Sequence, residues 1–244
     1  MTGYRYVKLG YTTLMEAASP PLGARHTHEE LNDIPIVDKG CYTLMGNNYF
    51  VLKYIEQGGM EKLKNFVAWL LKATRGYAVK IVNPGGVENW KWNGNVVTLD
   101  DHVTKYDVTP RELISELIKA NEDLMLPHTV HTHSIILGTP GNYEATMDAM
   151  KLSGRLGLKR SRNFHITHIQ FFSYGGEDWA TFRSEGSAIA DQINRERNVT
   201  VDLGQVIFTD TTTMTGDGPW EHRLYKLTGN KWAGTDIELE TSGG

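Results

Sequence analysis

Three short segments each set a side chain able to hold a metal ion inside an apolar run. They are Gly76-Tyr-Ala-Val-Lys-Ile-Val-Asn-Pro-Gly-Gly86, Leu126-Pro-His-Thr-Val-His-Thr-His133 and Phe164-His-Ile-Thr-His-Ile-Gln-Phe-Phe172. A buried lysine is costly unless its charge is paired or removed, and for Lys80 two readings follow. Burial lowers the amine pKa so that it reacts with carbon dioxide, giving an N-carboxylate whose oxygens bridge two divalent ions roughly 3.5 to 4 Å apart. Alternatively the lysine is salt-bridged or lies at a strand end. His131 and His133, two apart, share one side of a strand. His165 and His168, three apart, face opposite sides, so only one of them can enter the interior of a barrel. Neutral imidazole is the commonest zinc ligand, and two or three of them with carboxylate oxygens leave a position open for water. The same histidines also read as hydrogen-bonded core residues. His26 and His28 form another His-x-His pair, but Arg25, Glu29 and Glu30 set them in a polar loop. Asp217, in Met-Thr-Gly-Asp-Gly-Pro219, reads as a turn residue.

Elements that could position these residues recur along the chain. Six short runs rich in β-branched and aromatic residues centre on Tyr11–Glu16, Tyr42–Met45, Ala78–Val82, Thr129–His133, Ile166–Gln170 and Val199–Leu203. Helical patterns alternate with them, as in βα units around a parallel sheet. Leu63, Phe66, Val67, Leu70 and Leu71 lay an apolar stripe along a helix over Glu61–Arg75, which Gly76 can stop. Thr109-Pro-Arg-Glu112 predicts a capped start, with Pro110 in the first turn and Glu112 closing a capping box. Further helices are expected over Asn142–Leu152 and from Ser184 to about Arg195. Asn83–Trp92 has no helical period and reads as a long loop at the carboxyl end of the lysine strand, where barrels carry their sites. Lys159-Arg-Ser-Arg162 reads as a basic surface loop.

The 244 residues are 40% hydrophobic with a net charge of −4, both signs being scattered. One sizeable core, a single domain over 1–244, is expected. The basic stripe of a nucleic-acid binder is missing. The single cysteine, Cys41, excludes an internal disulfide framework, fits a reducing compartment and reads as a small buried hydrophobe. No apolar run approaches the roughly 20 residues that span a bilayer, and the polar start lacks a signal-peptide apolar region. A cytoplasmic protein without a membrane partner is expected.

Seven segments, in order, resemble one family: Ala24-Arg-His-Thr-His-Glu-Glu30, Leu44-Met-Gly-Asn-Asn48, Gly76–Gly86, Leu126–His133, Pro140-Gly-Asn-Tyr-Glu144, Thr167-His-Ile-Gln-Phe171 with Ser173-Tyr-Gly-Gly176, and Met214–Pro219. The family is the A subunit of formylmethanofuran dehydrogenase, with the related alpha subunit of the bacterial formyltransferase/hydrolase complex. The resemblance covers essentially the whole chain. It implies an α/β fold, the (β/α)8 barrel of the amidohydrolase superfamily. It also implies a hydrolase that interconverts N-formylmethanofuran with formate and methanofuran in one-carbon metabolism. By motif it puts Lys80 on the N-carboxylated lysine bridging two divalent ions, expected to be zinc. His133 falls on the metal histidine of the fifth barrel strand and His168 on that of the sixth. The implied partners are the other subunits of either complex.

The pattern also departs from the family. Counterparts of its first-strand His-x-His pair and eighth-strand catalytic aspartate are missing, so the six runs are expected to be strands two to seven of an incomplete barrel, and no catalytic residue is assigned. An open barrel leaves its outer strands unpaired, so poor solubility of the isolated chain is expected. Where relatives carry His-x-His-Cys-Asn-Asn, this chain has His133-Ser-Ile-Ile136, and Phe172 stands where a histidine is common. Two rival readings are a truncated subunit serving only as a non-catalytic scaffold, and a cyclic-amide hydrolase of the dihydroorotase or hydantoinase type. The family-specific loops argue against the second.

Overall fold

The computed structural model describes residues 2–156, 162–203, 226 and 229. The segment around Asp217, Trp220, Trp232 and most of the basic loop at 159–162 lie outside the described residues. In chain order the elements begin with α1 (Thr2–Lys8), β1 (Thr13–Ser19), α2 (Ala24–Asn32), β2 (Asp38–Leu44), α3 (Tyr49–Glu56), α4 (Met60–Thr74) and β3 (Ala78–Val82). They continue with α5 (Gly86–Trp90), α6 (Pro110–Asp123), β4 (Val130–His133), α7 (Asn142–Arg155) and β5 (Phe164–Ile166). A 3-10 turn at Ile169–Phe172 leads to a small antiparallel pair, β6 (Tyr174–Gly175) and β7 (Arg183–Ser184), then to α8 (Gly186–Arg195) and β8 (Val199–Val201).

All six expected runs enter one parallel sheet in the order β1-β2-β3-β4-β5-β8. Each of these strands lies beside the next in the chain and the order never reverses, unlike that of a doubly wound sheet. Alternation divides the residues of the sheet between two faces. Val79, Ile81, Val130, Phe164, Ile166 and Val199 pack outward with Leu63, Val67 and Leu70 of α4, Leu113, Ile114, Leu117 and Ile118 of α6, and Ala149 and Met150 of α7. Burying one such side chain stabilises by about 1.5–3 kcal/mol, which fixes the register of the opposite face. On that inner face Lys80 pairs with His131, His131 with His165, and His165 with Thr200, a polar row across four strands.

Several local features follow the sequence closely. Thr109 accepts the Glu112 N–H while the Glu112 carboxylate accepts the Thr109 N–H, the expected capping box. The end of α4 differs from expectation: Arg75 takes the left-handed conformation, with φ 50°. Gly76 is needed for space instead, because a Cβ there would collide with the Thr43 hydroxyl on β2. Two expected loops are helical. The His26/His28 segment forms α2, anchored by buried Ala24 and Leu31 and an Arg25–Glu29 pair at 2.9 Å. The segment after β3 turns into α5 because Asn89 ties it to the loop beyond, donating to the His102 carbonyl and accepting from the Thr104 N–H.

Two side-chain amides organise the carboxyl rim of the sheet. Asn47 donates to the Val82 carbonyl at 2.8 Å and accepts from the Gly85 N–H at 2.9 Å, shaping the Pro-Gly-Gly loop after the lysine strand. Gly46 lets the segment after β2 lie close against β3, since a Cβ there would sit 2.7 Å from Ile81. Asn142 donates to the carbonyls of Ile136 and Phe171 and accepts from the Tyr174 N–H, tying together the segments after β4 and β5.

Candidate metal centre

Lys80 lies in the middle of β3 and is 1% exposed. Its amine donates to the Thr167 hydroxyl at 3.1 Å. Burial lowers its pKa to about 8, against a weak opposing pull from the Asp202 charge. At pH 7 about a tenth is then the free amine, the form that can react with carbon dioxide, far more than for an ordinary lysine.

His133 ends β4, and its ring meets that of His168 edge to face with centroids 5.8 Å apart. Burial lowers its pKa to about 3, helped by the charges of Lys80 and His168, while Ser134 and Asp202 pull weakly upward. The ring is therefore neutral at pH 7. Its Nδ1 is buried with no hydrogen-bond partner among the described residues. Phe172 packs edge to face on His133 with centroids 5.1 Å apart. This imidazole therefore has an apolar ring as a neighbour.

His168 corrects the expectation of a strand position. β5 ends at Ile166, and His168 takes a left-handed conformation with φ 56° before the 3-10 turn. The rule that residues three apart face opposite sides fails with the strand. Both His165 and His168 reach the Asp202 carboxylate, His165 Nε2 at 3.1 Å and His168 Nδ1 at 3.7 Å. Burial is the largest influence on His168 and lowers its pKa, opposed by Asp202 and reinforced by Lys80 and His165. Burial alone would raise Asp202, but hydrogen bonds from His165 and the His168 N–H bring it below the ordinary carboxylate value.

Asp202, His165 and Thr167 are the residues that sequence reasoning passed over. A signal for Asp202 existed: it lies just past the end of a parallel strand, the position from which barrels project functional groups. For its partner His165, strand spacing admits only one of His165 and His168 to the interior, and the family motif selects His168. His165 and Asp202, with Tyr42, His128, His131 and His168, line a cavity of about 550 Å³ on the inner face. Elsewhere, His28 contacts the Thr74 carbonyl at 2.9 Å and the buried Cys41 thiol at 3.8 Å, whereas His26 is exposed beside Glu29. Neither joins the lysine.

The donor types suit a divalent cation: two imidazoles with depressed pKa values and a lysine whose own pKa burial has lowered. Among the described residues, however, no three His, Cys, Asp or Glu side chains form a group that could hold a metal ion. The sequence pattern of the amidohydrolase family matches residues 1–239. The chain belongs to this family. It is 49% identical to Protein FwdA of Methanocaldococcus jannaschii over 100% of this chain and 44% of that protein. It is 34% identical to the A subunit of the formyltransferase/hydrolase complex Fhc of Methylorubrum extorquens, over 88% of this chain and 39% of that one. A crystal structure of the FhcABCD complex of Methylorubrum extorquens with methylofuran contains a chain matching 94% of this amidohydrolase, with TM-score 0.85 and 33% identity, over 42% of its own length. These relatives bear out the resemblance drawn from the motifs. The chain spans less than half the length of the curated relatives it matches. Among the described residues, no helix is long and apolar enough to cross a membrane.

Proposed function

We propose that this amidohydrolase chain is part of a subunit that interconverts N-formylmethanofuran, or a close analogue, with formate and the free amine. Its six parallel strands would be strands two to seven of a (β/α)8 barrel. The observation that carries the reading is Lys80, buried in the middle of β3 with its amine on the Thr167 hydroxyl, on the strand that pairs with the one His133 ends. In this reading Lys80, as its N-carboxylate, and the imidazoles of His133 and His168 hold two divalent ions, with zinc the first candidate. A bound metal pair supplies Lewis acidity and acidifies water.

The chain's own residues have separable tasks. Thr167 accepts from Lys80 and so orients the nitrogen that is to be carboxylated. Phe172 shields His133 from water. Asn47 and Asn142 hold the loops around the carboxyl rim, where substrate would enter. Partners of this subunit would be the remaining chains of a formylmethanofuran dehydrogenase or a formyltransferase/hydrolase complex. The family resemblance and the methylofuran-bound complex support that assignment.

A second reading draws on one observation, the lack of a metal-competent side-chain group among the described residues. In that reading the chain serves as a non-catalytic scaffold. Assay of formate release from an N-formyl amide by the complete native protein separates the two. Lys80→Ala is expected to abolish release, with rescue by added short carboxylates that replace the bridge. Unchanged activity and metal content in Lys80→Ala would exclude the bridging role.

A further inference from the structure

Asp202, just past β8, meets the candidate site through both its side chain and its backbone. One carboxylate oxygen, Oδ1, accepts the His168 backbone N–H at 2.8 Å and lies 3.7 Å from His168 Nδ1. The other, Oδ2, lies 3.1 Å from His165 Nε2. The backbone of Asp202 grips the same turn, its N–H donating to the Ile166 carbonyl at 3.2 Å and its carbonyl accepting from the Ile169 N–H at 3.1 Å. A residue with a Cβ holds φ 56° only when its surroundings enforce it. Here the enforcing contact comes from a residue 34 positions downstream.

The contacts also set the protonated nitrogens. An ionised carboxylate only accepts, so the His165 nitrogen facing Oδ2 is Nε2–H. Its Nδ1, 2.8 Å from the Thr200 hydroxyl, then accepts from that group. His165 is thereby fixed from both sides and holds the carboxylate in place. On His168, Nδ1 lies beyond hydrogen-bond distance of Oδ1, whose charge nonetheless favours a proton on Nδ1 over one on Nε2. A ligating histidine ordinarily presents its other ring nitrogen to a carboxylate or carbonyl, and loss of such an outer partner costs about 10–100-fold in metal affinity.

We propose that Asp202 is a positioning residue that builds the turn carrying His168 and directs its Nε2 toward a divalent cation. The inference rests on the metal reading above. Its test titrates the metal-free, complete native protein with cobalt(II), following the visible absorption band together with circular dichroism. Asp202→Ala is expected to weaken cobalt binding by about 10–100-fold and to shift the band. Asp202→Asn retains an oxygen for the His168 N–H and is expected to recover part of the affinity. Wild-type affinity and band in Asp202→Ala would overturn the proposal. So would a loss of thermal stability in both variants with an unaltered band for the cobalt that binds, since that describes a purely structural residue. Lys80→Ala and His133→Ala separate the two inferences. If both lose cobalt while Asp202→Ala does not, the positioning role alone fails; if neither loses cobalt, the metal reading falls and takes this inference with it.

Discussion

The two ends of the inner sheet face use the same side chains in opposite ways. Toward the amino end, Tyr42, Tyr77, His128 and His131 lie ring upon ring, with centroids 4.2 Å apart for Tyr42–His131 and 4.7 Å for His128–His131. The two imidazoles also share a hydrogen bond, Nε2 to Nε2, at 2.8 Å. Toward the carboxyl end, His133 meets His168 and Phe172 edge to face, at interplanar angles of 77° and 88°. The stacked pair uses one nitrogen of each ring, and Nδ1 of His131, like Nδ1 of His133, is buried without a hydrogen-bond partner among the described residues. Burial is the largest cause of a pKa near 3 for both His131 and His133. A depressed pKa therefore does not distinguish the two histidines; what differs between them is ring orientation.

The sharpest way to break this contrast is Lys80→Met in the complete protein. It should abolish metal binding, read by elemental analysis, yet leave the melting temperature unchanged or higher, because a buried amine is replaced by an apolar chain of similar length. A stable variant that retains its metal would dissolve the distinction between the ends.

The next effect is on pH dependence in the metal-free protein. His131 and His133 have folded pKa values near 3, below the ordinary 6.5, so the unfolded state binds more protons between those limits. Stability is then fully present above about pH 6.5 and falls as the solution is acidified, by about 1.4 kcal/mol per pH unit for each imidazole. Urea midpoints at pH 7.5, 6 and 5 check this, and a flat profile would mean that neither ring is buried neutral.

Substitutions at single contacts should be smaller. His131→Phe keeps the ring stack but removes the hydrogen bond to His128, a cost of about 1–3 kcal/mol with metal content untouched. Loss of metal in that variant would move the site toward the amino end. Thr167→Val removes the hydroxyl that Lys80 donates to, and is expected to cost about 1 kcal/mol in chemical denaturation.

Local patterns made most of the scaffold legible. Thr109-Pro-Arg-Glu112 carried its own capping box, and the runs around Lys80 and His131 were strands because β-branched residues alternate there with side chains for the inner face. Phe164–Phe172 looked like one strand because its apolar pattern continues past Ile166. What ends it is a carboxylate 34 residues away, which no local reading could supply. The same holds for α5, where Asn89 bonds across a loop. The metal reading of Lys80, His133 and His168 came from motif order in the family. The geometry adds the group around them, Thr167, His165 and Asp202, whose importance lies in contacts between strands.

The amide of Asn142 joins the segments following two different strands, and that of Asn47 joins the segments following β2 and β3. Neither segment of a pair is then an independent module. An engineer who transplanted the loop after β4 from a relative, leaving the one after β5 in place, would strand an amide donor on its former partner. Swaps that take both segments with their asparagine should be tolerated, so exchange of parts at this rim is expected to succeed in pairs and fail singly.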